Sequence, residues 1–321
     1  MKNKVILIVV GEPYSTFSEI FGKYFSRNVN KKLKIVLIGN YKLIQSQLSR
    51  LKYKIKIYKI DNLNDAKKNC LNLINIKFNY KKIFDKISIK SNKYLTESFD
   101  KALEIVKTNK NKIFLINGPI SKKTFLKKKY LGITEYISKK TKSKNEVMLI
   151  YNHKLAVSPI TTHIPLKNVT KNLTKKKILN NVITINNFYK KKLKKKANFA
   201  ILGLNPHCET VDKFSEEDKI ISPVIQILKK KGVNIKGPFA ADTFFLKDNL
   251  KKFNIVIGMY HDQVLTPIKT LYNFNAINLT LGLPFLRISP DHGPNSRMLG
   301  KNKSDPSSFF YAMRFISNLH D

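Results

Sequence analysis

The 321-residue chain has few cysteines and few acidic residues. Only Cys70 and Cys208 occur, which excludes a disulfide-rich scaffold and a cysteine-built zinc module. Asp and Glu number 21 against 61 Lys and Arg, so the formal net charge is +40 with histidine neutral. Hydrophobic residues still make up 42% and aromatic residues 11% of the chain, which is enough for a core and argues against disorder.

Long hydrophobic runs are also missing. The N-terminal run Val5–Val10 is followed at once by Gly11 and Glu12, which makes it too short for an export signal or a membrane span. We therefore expect a cytoplasmic protein with no membrane partner. The length suits one large domain or two medium ones.

Arginine is scarce in this very basic chain, since only 5 of the 61 basic residues are Arg. A nucleic-acid reader is expected to use Arg, because the planar guanidinium pairs bidentately with guanine and phosphate. Lysines spread over the whole chain indicate a solvated coat, and we expect no specific nucleic-acid partner. A basic nucleic-acid-binding protein remains the alternative from another functional class.

Short apolar runs alternate with amphipathic stretches, which predicts an α/β fold. One helix is expected to begin at Thr96 and another at Ser215, where Pro223 predicts a kinked or delayed start. The predicted strands are Val5–Val10, Lys34–Ile38, Ile113–Ile116, Val147–Tyr151, Ala197–Leu204, Ile255–Tyr260 and Ala276–Leu283. Neither GxGxxG nor GxxxxGK[ST] occurs, so a dinucleotide would have to bind by another route.

Three histidines, His163, His207 and His261, stand in polar turns after apolar runs. Ligands of open α/β sheets gather at the carboxyl ends of strands, so these side chains could converge there on a divalent ion such as Zn²⁺ or Co²⁺. The spacing leaves a second interpretation open, in which each is an ordinary loop or core histidine with a backbone partner.

Lys269, Asn278 and Arg287 follow one another at intervals of nine residues. A cation, an amide and a guanidinium could together hold a phosphorylated substrate that also bears a carboxylate. Surface placement of Lys269 and a turn at Asn278 remain open as alternatives. Asp242 could orient a histidine or hold a cation, or it could simply form a turn.

Taken together, these segments resemble the 4-hydroxythreonine-4-phosphate dehydrogenase family of pyridoxal phosphate biosynthesis. The similarity runs nearly from end to end. The matching motifs are GEP at 11–13, YLTESFDKALEIV at 94–106, NGPISK at 117–122, GITEYIS at 132–138, TTHIPLKNV at 161–169, GLNPHCE at 203–209, GPFAADTFF at 237–245, MYHDQVLTPIK at 259–269 and INLTLGLPFLRISPDHG at 277–293.

The resemblance implies a two-domain fold like that of isocitrate and isopropylmalate dehydrogenases. We expect a first α/β domain of residues 1–130 plus 300–321, and a second of residues 131–299 that carries most metal and substrate residues. It also implies a homodimer with the active site between domains at the subunit interface. The implied reaction is NAD-dependent, divalent-metal-assisted oxidation of 4-phosphooxy-L-threonine to 2-amino-3-oxo-4-phosphooxybutanoate, which decarboxylates to 3-amino-2-oxopropyl phosphate.

The resemblance also assigns roles to residues. The metal ligands are three histidines, one of them expected from the partner subunit: His163, His207 and His261. The substrate-binding residues are Thr134, Lys269, Asn278 and Arg287. Lys269 and Asp242 are the positional candidates for taking the hydroxyl proton. The sequence does not distinguish Zn, Mg and Co as the metal, or NAD from NADP, and it identifies no cofactor-binding residues.

The chain departs from the family pattern at three places. The glycines that follow GEP are replaced by the segment 14–18, and the glycine-rich loop after His207 is replaced by the segment 208–213. Ile133 stands where the family has a substrate-binding histidine. The last change favours, as an alternative substrate, a related phosphorylated four-carbon hydroxy acid.

Overall fold

The computed structural model describes residues 4–27, 33–108, 113–126, 129–209, 214–273, 275–290 and 293–319. Strands and helices alternate through these residues, which confirms the α/β prediction. The strands are β1 (Val5–Val9), β2 (Lys34–Gly39), β3 (Ile57–Ile60), β4 (Leu71–Asn75), β5 (Ile113–Asn117), β6 (Val147–Tyr151), β7 (Ala156–Thr161), β8 (Phe199–Leu202), β9 (Ile235–Phe239), β10 (Ile255–Tyr260), β11 (Ile277–Leu281) and β12 (Leu286–Pro290).

The α-helices are α1 (Phe17–Arg27), α2 (Tyr41–Arg50), α3 (Asn92–Thr108), α4 (Ile133–Thr141), α5 (Val169–Asn172), α6 (Lys175–Phe188), α7 (Ser222–Lys230), α8 (Ala241–Phe244), α9 (Lys247–Lys252), α10 (His261–Tyr272) and α11 (Ser307–Asn318). Short 3₁₀ turns lie at Leu63–Asp65, Ile89–Ser91, Leu166–Asn168, Pro206–Cys208 and Ser296–Met298, and π-helical turns at Lys122–Leu126, Tyr189–Leu193 and Glu217–Ile221. Among the described residues, no helix is long and apolar enough to cross a membrane.

The chain divides into two compact units. The first unit comprises Met1–Lys144 and Leu283–Asn318, and the second comprises Asn145–Gly282 and Leu319–Asp321. The predicted boundaries at 130/131 and 299/300 differ from these. Helix α4 packs Tyr136 and Ile137 into the apolar cluster that contains Phe99, and β12 pairs with β5, so both elements belong to the first unit.

In the first unit the strands follow the order β3-β4-β2-β1-β5-β12 and every pair is parallel. All five residues of β1 are buried, as expected of a parallel strand covered on both faces. Helix α3 buries Phe99, Ala102, Leu103 and Val106, one apolar face, against this sheet. The predicted start at Thr96 is wrong, because α3 begins at Asn92 and Thr96 lies inside its first turns.

In the second unit the order is β11-β6-β7-β10-β8-β9. Strands β7, β10, β8 and β9 are parallel, whereas β6 is antiparallel to both β7 and β11. Helix α7 begins at Ser222 after the π-helical turn, which puts Pro223 in the first turn of the helix, where a missing N–H costs nothing. Gly232, with φ +74°, ends this segment in the left-handed conformation.

Candidate metal and substrate site

Three neighbouring parallel strands of the second unit end at one edge of its sheet. Tyr260 at the end of β10 lies opposite Thr161 at the end of β7, and β10 pairs with β8 on its other side. The Thr161 hydroxyl donates to the Met259 carbonyl over 2.7 Å, which ties the two strand ends together. Because these strands run in parallel, the turns that follow them emerge at the same edge, where open α/β sheets bind ligands.

Two of the predicted metal ligands meet at this edge. The rings of His163 and His261 lie with their centroids 5.6 Å apart. Two imidazoles on one tetrahedral ion would have centroids roughly 5 Å apart, so the pair fits a shared metal. Nδ1 of His261 lies 2.6 Å from Oδ1 of Asp262. Since a carboxylate only accepts hydrogen bonds, this contact favours the proton on Nδ1, which makes Nε2 the nitrogen able to bind a metal, as in carboxylate-oriented metal histidines.

The third predicted ligand, His207, lies in the exposed turn Pro206–Cys208 that follows β8. His207 and Cys208 both have left-handed backbones, with φ of +55° and +63°. This conformation is unfavourable for residues other than glycine and is concentrated at functional sites. Within the described residues, no three His, Cys, Asp or Glu side chains are grouped as a metal site requires. The described part of one chain thus brings together two of the three predicted ligands, and the role of His207 stays a prediction.

Asp242 lies in the first turn of α8, which packs beside the His207 turn. Burial raises the pKa of the Cys208 thiol, and the nearby carboxylates, Asp242 among them, raise it further against a backbone hydrogen bond from Gly203. A thiol in such surroundings is a poor nucleophile. Residues 210–213, in the replaced glycine-rich loop, and residues 291–292, in the last family motif, lie outside the described residues.

Two predicted substrate residues lie in the second unit. Lys269 is exposed on α10, eight residues after His261 and therefore close to the same face of the helix. Asn278 lies on β11, and its Oδ1 is buried without a hydrogen-bond partner among the described residues. A buried, unsatisfied amide oxygen is costly, so this atom is suited to accept a hydrogen bond from a ligand.

The other two predicted substrate residues lie together in the first unit. Arg287 on β12 is only 1% exposed. Its Nε donates to Oδ1 of Asn117 over 2.8 Å, and its Nη1 donates to Oγ1 of Thr134 over 2.9 Å. Burial lowers the pKa of Arg287 to about 10, opposed by the nearby Glu135 carboxylate. The guanidinium therefore stays charged at neutral pH in a fixed orientation, which suits recognition of an anion.

Sequence reasoning assigned no role to Asn117, Gln263 or Glu217, which hold these groups in place. Gln263 on α10 donates from Nε2 to the Gly203 carbonyl over 2.7 Å and accepts from the Met259 amide over 2.7 Å. It therefore links the strand that leads to His261 with the strand that leads to His207. Asn117 and Gln263 lie within family motifs and Glu217 lies between two of them, but nothing in the sequence alone indicates what they contact.

Several known proteins are similar to this chain over most of its length. Residues 31–316 match the family model described as pyridoxal phosphate biosynthetic protein PdxA. The chain is 36% identical over 312 residues to the 4-hydroxythreonine-4-phosphate dehydrogenase of Sulfurihydrogenibium sp., a match that covers 96% of each chain. It is 32% identical over 191 residues to the D-threonate 4-phosphate dehydrogenase of Pectobacterium atrosepticum, covering 59% of this chain.

Among solved structures, 4-hydroxythreonine-4-phosphate dehydrogenase from Klebsiella pneumoniae superposes with a TM-score of 0.80 at 24% identity, covering 97% of this chain and 99% of that one. Isocitrate dehydrogenase from Methylococcus capsulatus superposes with a TM-score of 0.51 at 8% identity, covering 98% of this chain and 85% of that one. These likenesses concern the fold alone, and they confirm the predicted isocitrate dehydrogenase-like fold.

Proposed function

The chain belongs to the family of the pyridoxal phosphate biosynthetic protein PdxA, and we propose on that premise that it is a 4-hydroxythreonine-4-phosphate dehydrogenase. The proposed reaction oxidises the C3 hydroxyl of 4-phosphooxy-L-threonine with NAD⁺ as hydride acceptor. The product, 2-amino-3-oxo-4-phosphooxybutanoate, is a β-keto acid and loses CO₂ to give 3-amino-2-oxopropyl phosphate. The observation that carries the proposal is the His163–His261 pair at the strand ends, in a chain that spans 96% of a dehydrogenase relative.

The proposed metal ligands are His163, His207 and His261, with one of the three provided by the partner subunit of a homodimer. A divalent ion held by these histidines, Zn, Mg or Co, would supply Lewis-acid chemistry for deprotonation of the substrate hydroxyl. Asp262 keeps the proton on Nδ1 of His261 and so directs Nε2 toward the site. His207 would add a third nitrogen donor from a turn with a strained, left-handed backbone.

The substrate would be held by fixed polar groups. Arg287, oriented by its hydrogen bonds to Asn117 and Thr134, would bind an anionic group of the substrate. In the second unit, Lys269 would neutralise negative charge, and Asn278 would accept a hydrogen bond at Oδ1, which has no partner in the part of the chain that the structure describes. Such contacts would fix the reacting carbon in one orientation. Binding residues contribute to the reaction rate through this positioning.

The general base is assigned to Asp242 or Lys269. Both side chains are exposed, Asp242 beside the His207 turn and Lys269 on the helix that begins at His261. A carboxylate base and an amine base differ in the pH at which activity appears, so the acid limb of the kcat/KM profile in D242N and K269M decides between them. Either residue would take the proton from the C3 hydroxyl as the hydride leaves the carbon.

A related substrate is the second candidate, because Ile133 gives no hydrogen bond beside Thr134. Its side chain packs against the apolar core of the first unit. A phosphorylated four-carbon hydroxy acid such as a threonate 4-phosphate lacks the amino group, and one relative is named for that substrate.

A substrate panel separates the two candidates. Initial rates of NADH formation are compared for 4-phosphooxy-L-threonine and for D- and L-threonate 4-phosphate. The first proposal expects the highest kcat/KM for the amino acid, whereas a higher value for a threonate would replace it with the second. For a metal-ligand variant such as H163A, H153A serves as the control, because His153 is also a loop histidine but was not assigned to the metal.

We place the enzyme in the cytoplasm, where NAD is available. Its cysteines, Cys70 and Cys208, are free thiols, in keeping with a reducing compartment. NADP in place of NAD⁺ in the same assay measures the preference between the two cofactors.

A further inference from the structure

The turn that carries His207 is attached to a buried carboxylate, and the Asn205 side-chain amide also donates to Oε2 of Glu216 over 2.9 Å. Glu217, 2% exposed, lies in the π-helical turn before α7. Its Oε1 accepts hydrogen bonds from the backbone amides of Leu204 (2.6 Å) and Asn205 (2.9 Å). Its Oε2 accepts from the Asn205 side-chain amide (2.8 Å) and from the Ser215 hydroxyl (2.9 Å). Both oxygens are thus used to hold the residues just before His207.

The geometry requires an ionised carboxylate, since all four partners are donors. Burial raises the pKa of Glu217, but the hydrogen bonds from Asn205 and Ser215 outweigh it, and the net pKa is lower than usual. Glu217 is therefore an anion at neutral pH. Hydrogen bonds from amide and hydroxyl groups stabilise its charge, rather than an ion pair with a lysine.

Close packing leaves this turn little freedom. A Cβ added to Gly203 would lie 2.6 Å from Sγ of Cys208 and 3.0 Å from Oε1 of Glu217. The carbonyl of Gly203 is held from the other side by Gln263. Because His207 has an unfavourable left-handed backbone, its conformation must be imposed by such surroundings.

We propose that Glu217 is a positioning residue that fixes the His207 turn and thereby presents the His207 imidazole as a metal ligand. The inference rests on the proposed function, because it takes His207 to be a ligand. Loss of an outer-shell partner commonly costs 10–100-fold in metal affinity. Gln at position 217 keeps the volume but replaces one acceptor oxygen by an NH₂ group that faces donors, so the turn would shift.

The test is a titration of the metal-free protein with Co²⁺ alone, followed by the visible absorption of the bound ion. E217Q is expected to bind Co²⁺ about 10–100-fold more weakly than the unsubstituted protein. D218N removes the same charge from an adjacent exposed residue and should leave the affinity within about twofold. Thermal unfolding of each metal-free variant is recorded, so that every titration is made well below its midpoint.

S215A is the milder second variant, because it removes one of the four hydrogen bonds while the carboxylate stays. It is expected to weaken Co²⁺ binding on the order of threefold, which keeps the inference testable if E217Q does not fold. Unchanged affinity in E217Q, or in S215A if only that variant folds, overturns the inference alone. If the unsubstituted protein binds no Co²⁺, or H261A binds it equally well, the proposed function fails and the inference with it.

Discussion

Replacing Glu12 by glutamine should flatten the pH dependence of the protein's stability. Glu12 follows β1 and is 1% exposed. Neither carboxylate oxygen has a hydrogen-bond partner among the described residues, and the nearby Ser91 hydroxyl donates to the Ser88 carbonyl instead (2.8 Å). Burial raises the pKa of Glu12 from 4.5 to about 7, and the proximity of Ser91 opposes this only in part.

The size of the effect follows from that pKa. Below pH 4.5 Glu12 is protonated in both the folded and the unfolded chain, so its carboxyl takes nothing from the free energy of unfolding there. As the pH rises toward 7, Glu12 ionises first in the unfolded chain, and the free energy of unfolding falls. A difference of about 2.5 pKa units at 1.36 kcal/mol each gives about 3 kcal/mol in total, of which roughly 2–3 kcal/mol falls between pH 5 and 8.

The assay is urea unfolding followed by circular dichroism at pH 5, 6, 7 and 8. The free energy of unfolding should fall by roughly 2–3 kcal/mol more in the unsubstituted protein than in E12Q over this range. E104Q, in which the replaced side chain is exposed, should keep the original slope. Parallel curves for E12Q and the unsubstituted protein would refute the reasoning.

Three other substitutions have definite expectations. G203A should destabilise the fold by about 1–3 kcal/mol, since the new methyl would meet the Cys208 sulfur; an unchanged urea midpoint would contradict this. R287K should lower kcat/KM about tenfold or more, because one ammonium cannot reproduce the two oriented hydrogen bonds of the guanidinium. A kcat/KM within twofold of the unsubstituted protein would argue that Arg287 is purely structural. N278L should raise the KM about tenfold while the unfolding free energy stays constant or rises, because it removes a buried oxygen that has no hydrogen-bond partner among the described residues. A stability loss with an unchanged KM would count against the substrate role.

The parts of the fold that the sequence predicts well are the continuous apolar strands. The runs that became β1, β2, β5, β6 and β10 were placed to within a residue, because strands buried on both faces need apolar residues at every position. The missed strands carry polar or turn-forming residues inside them. In β7 the buried Ser158 donates to the Met148 carbonyl and accepts from Asn181, partners that lie ten or more residues away. No local pattern contains such pairings.

The same limit applies to the candidate site. The histidines could be placed at strand ends, because each follows an apolar run, and the structure brings His163 and His261 together. The residues that orient the site were not predictable in this way. Asn117 contacts Arg287 across 170 positions, and Gln263 contacts Gly203 across 60. Their function depends on a tertiary pairing that only the folded chain reveals.

The most direct test of the account is NADH formation by the purified, metal-reconstituted protein given 4-phosphooxy-L-threonine and NAD⁺, measured beside a metal-stripped control. A metal-assisted dehydrogenase should form NADH with the metal, little or none without it, and again when the ion is returned. Equal rates in the stripped and reconstituted protein would contradict the metal-assisted reaction. No NADH with the ion demonstrably bound would contradict the assignment of this substrate.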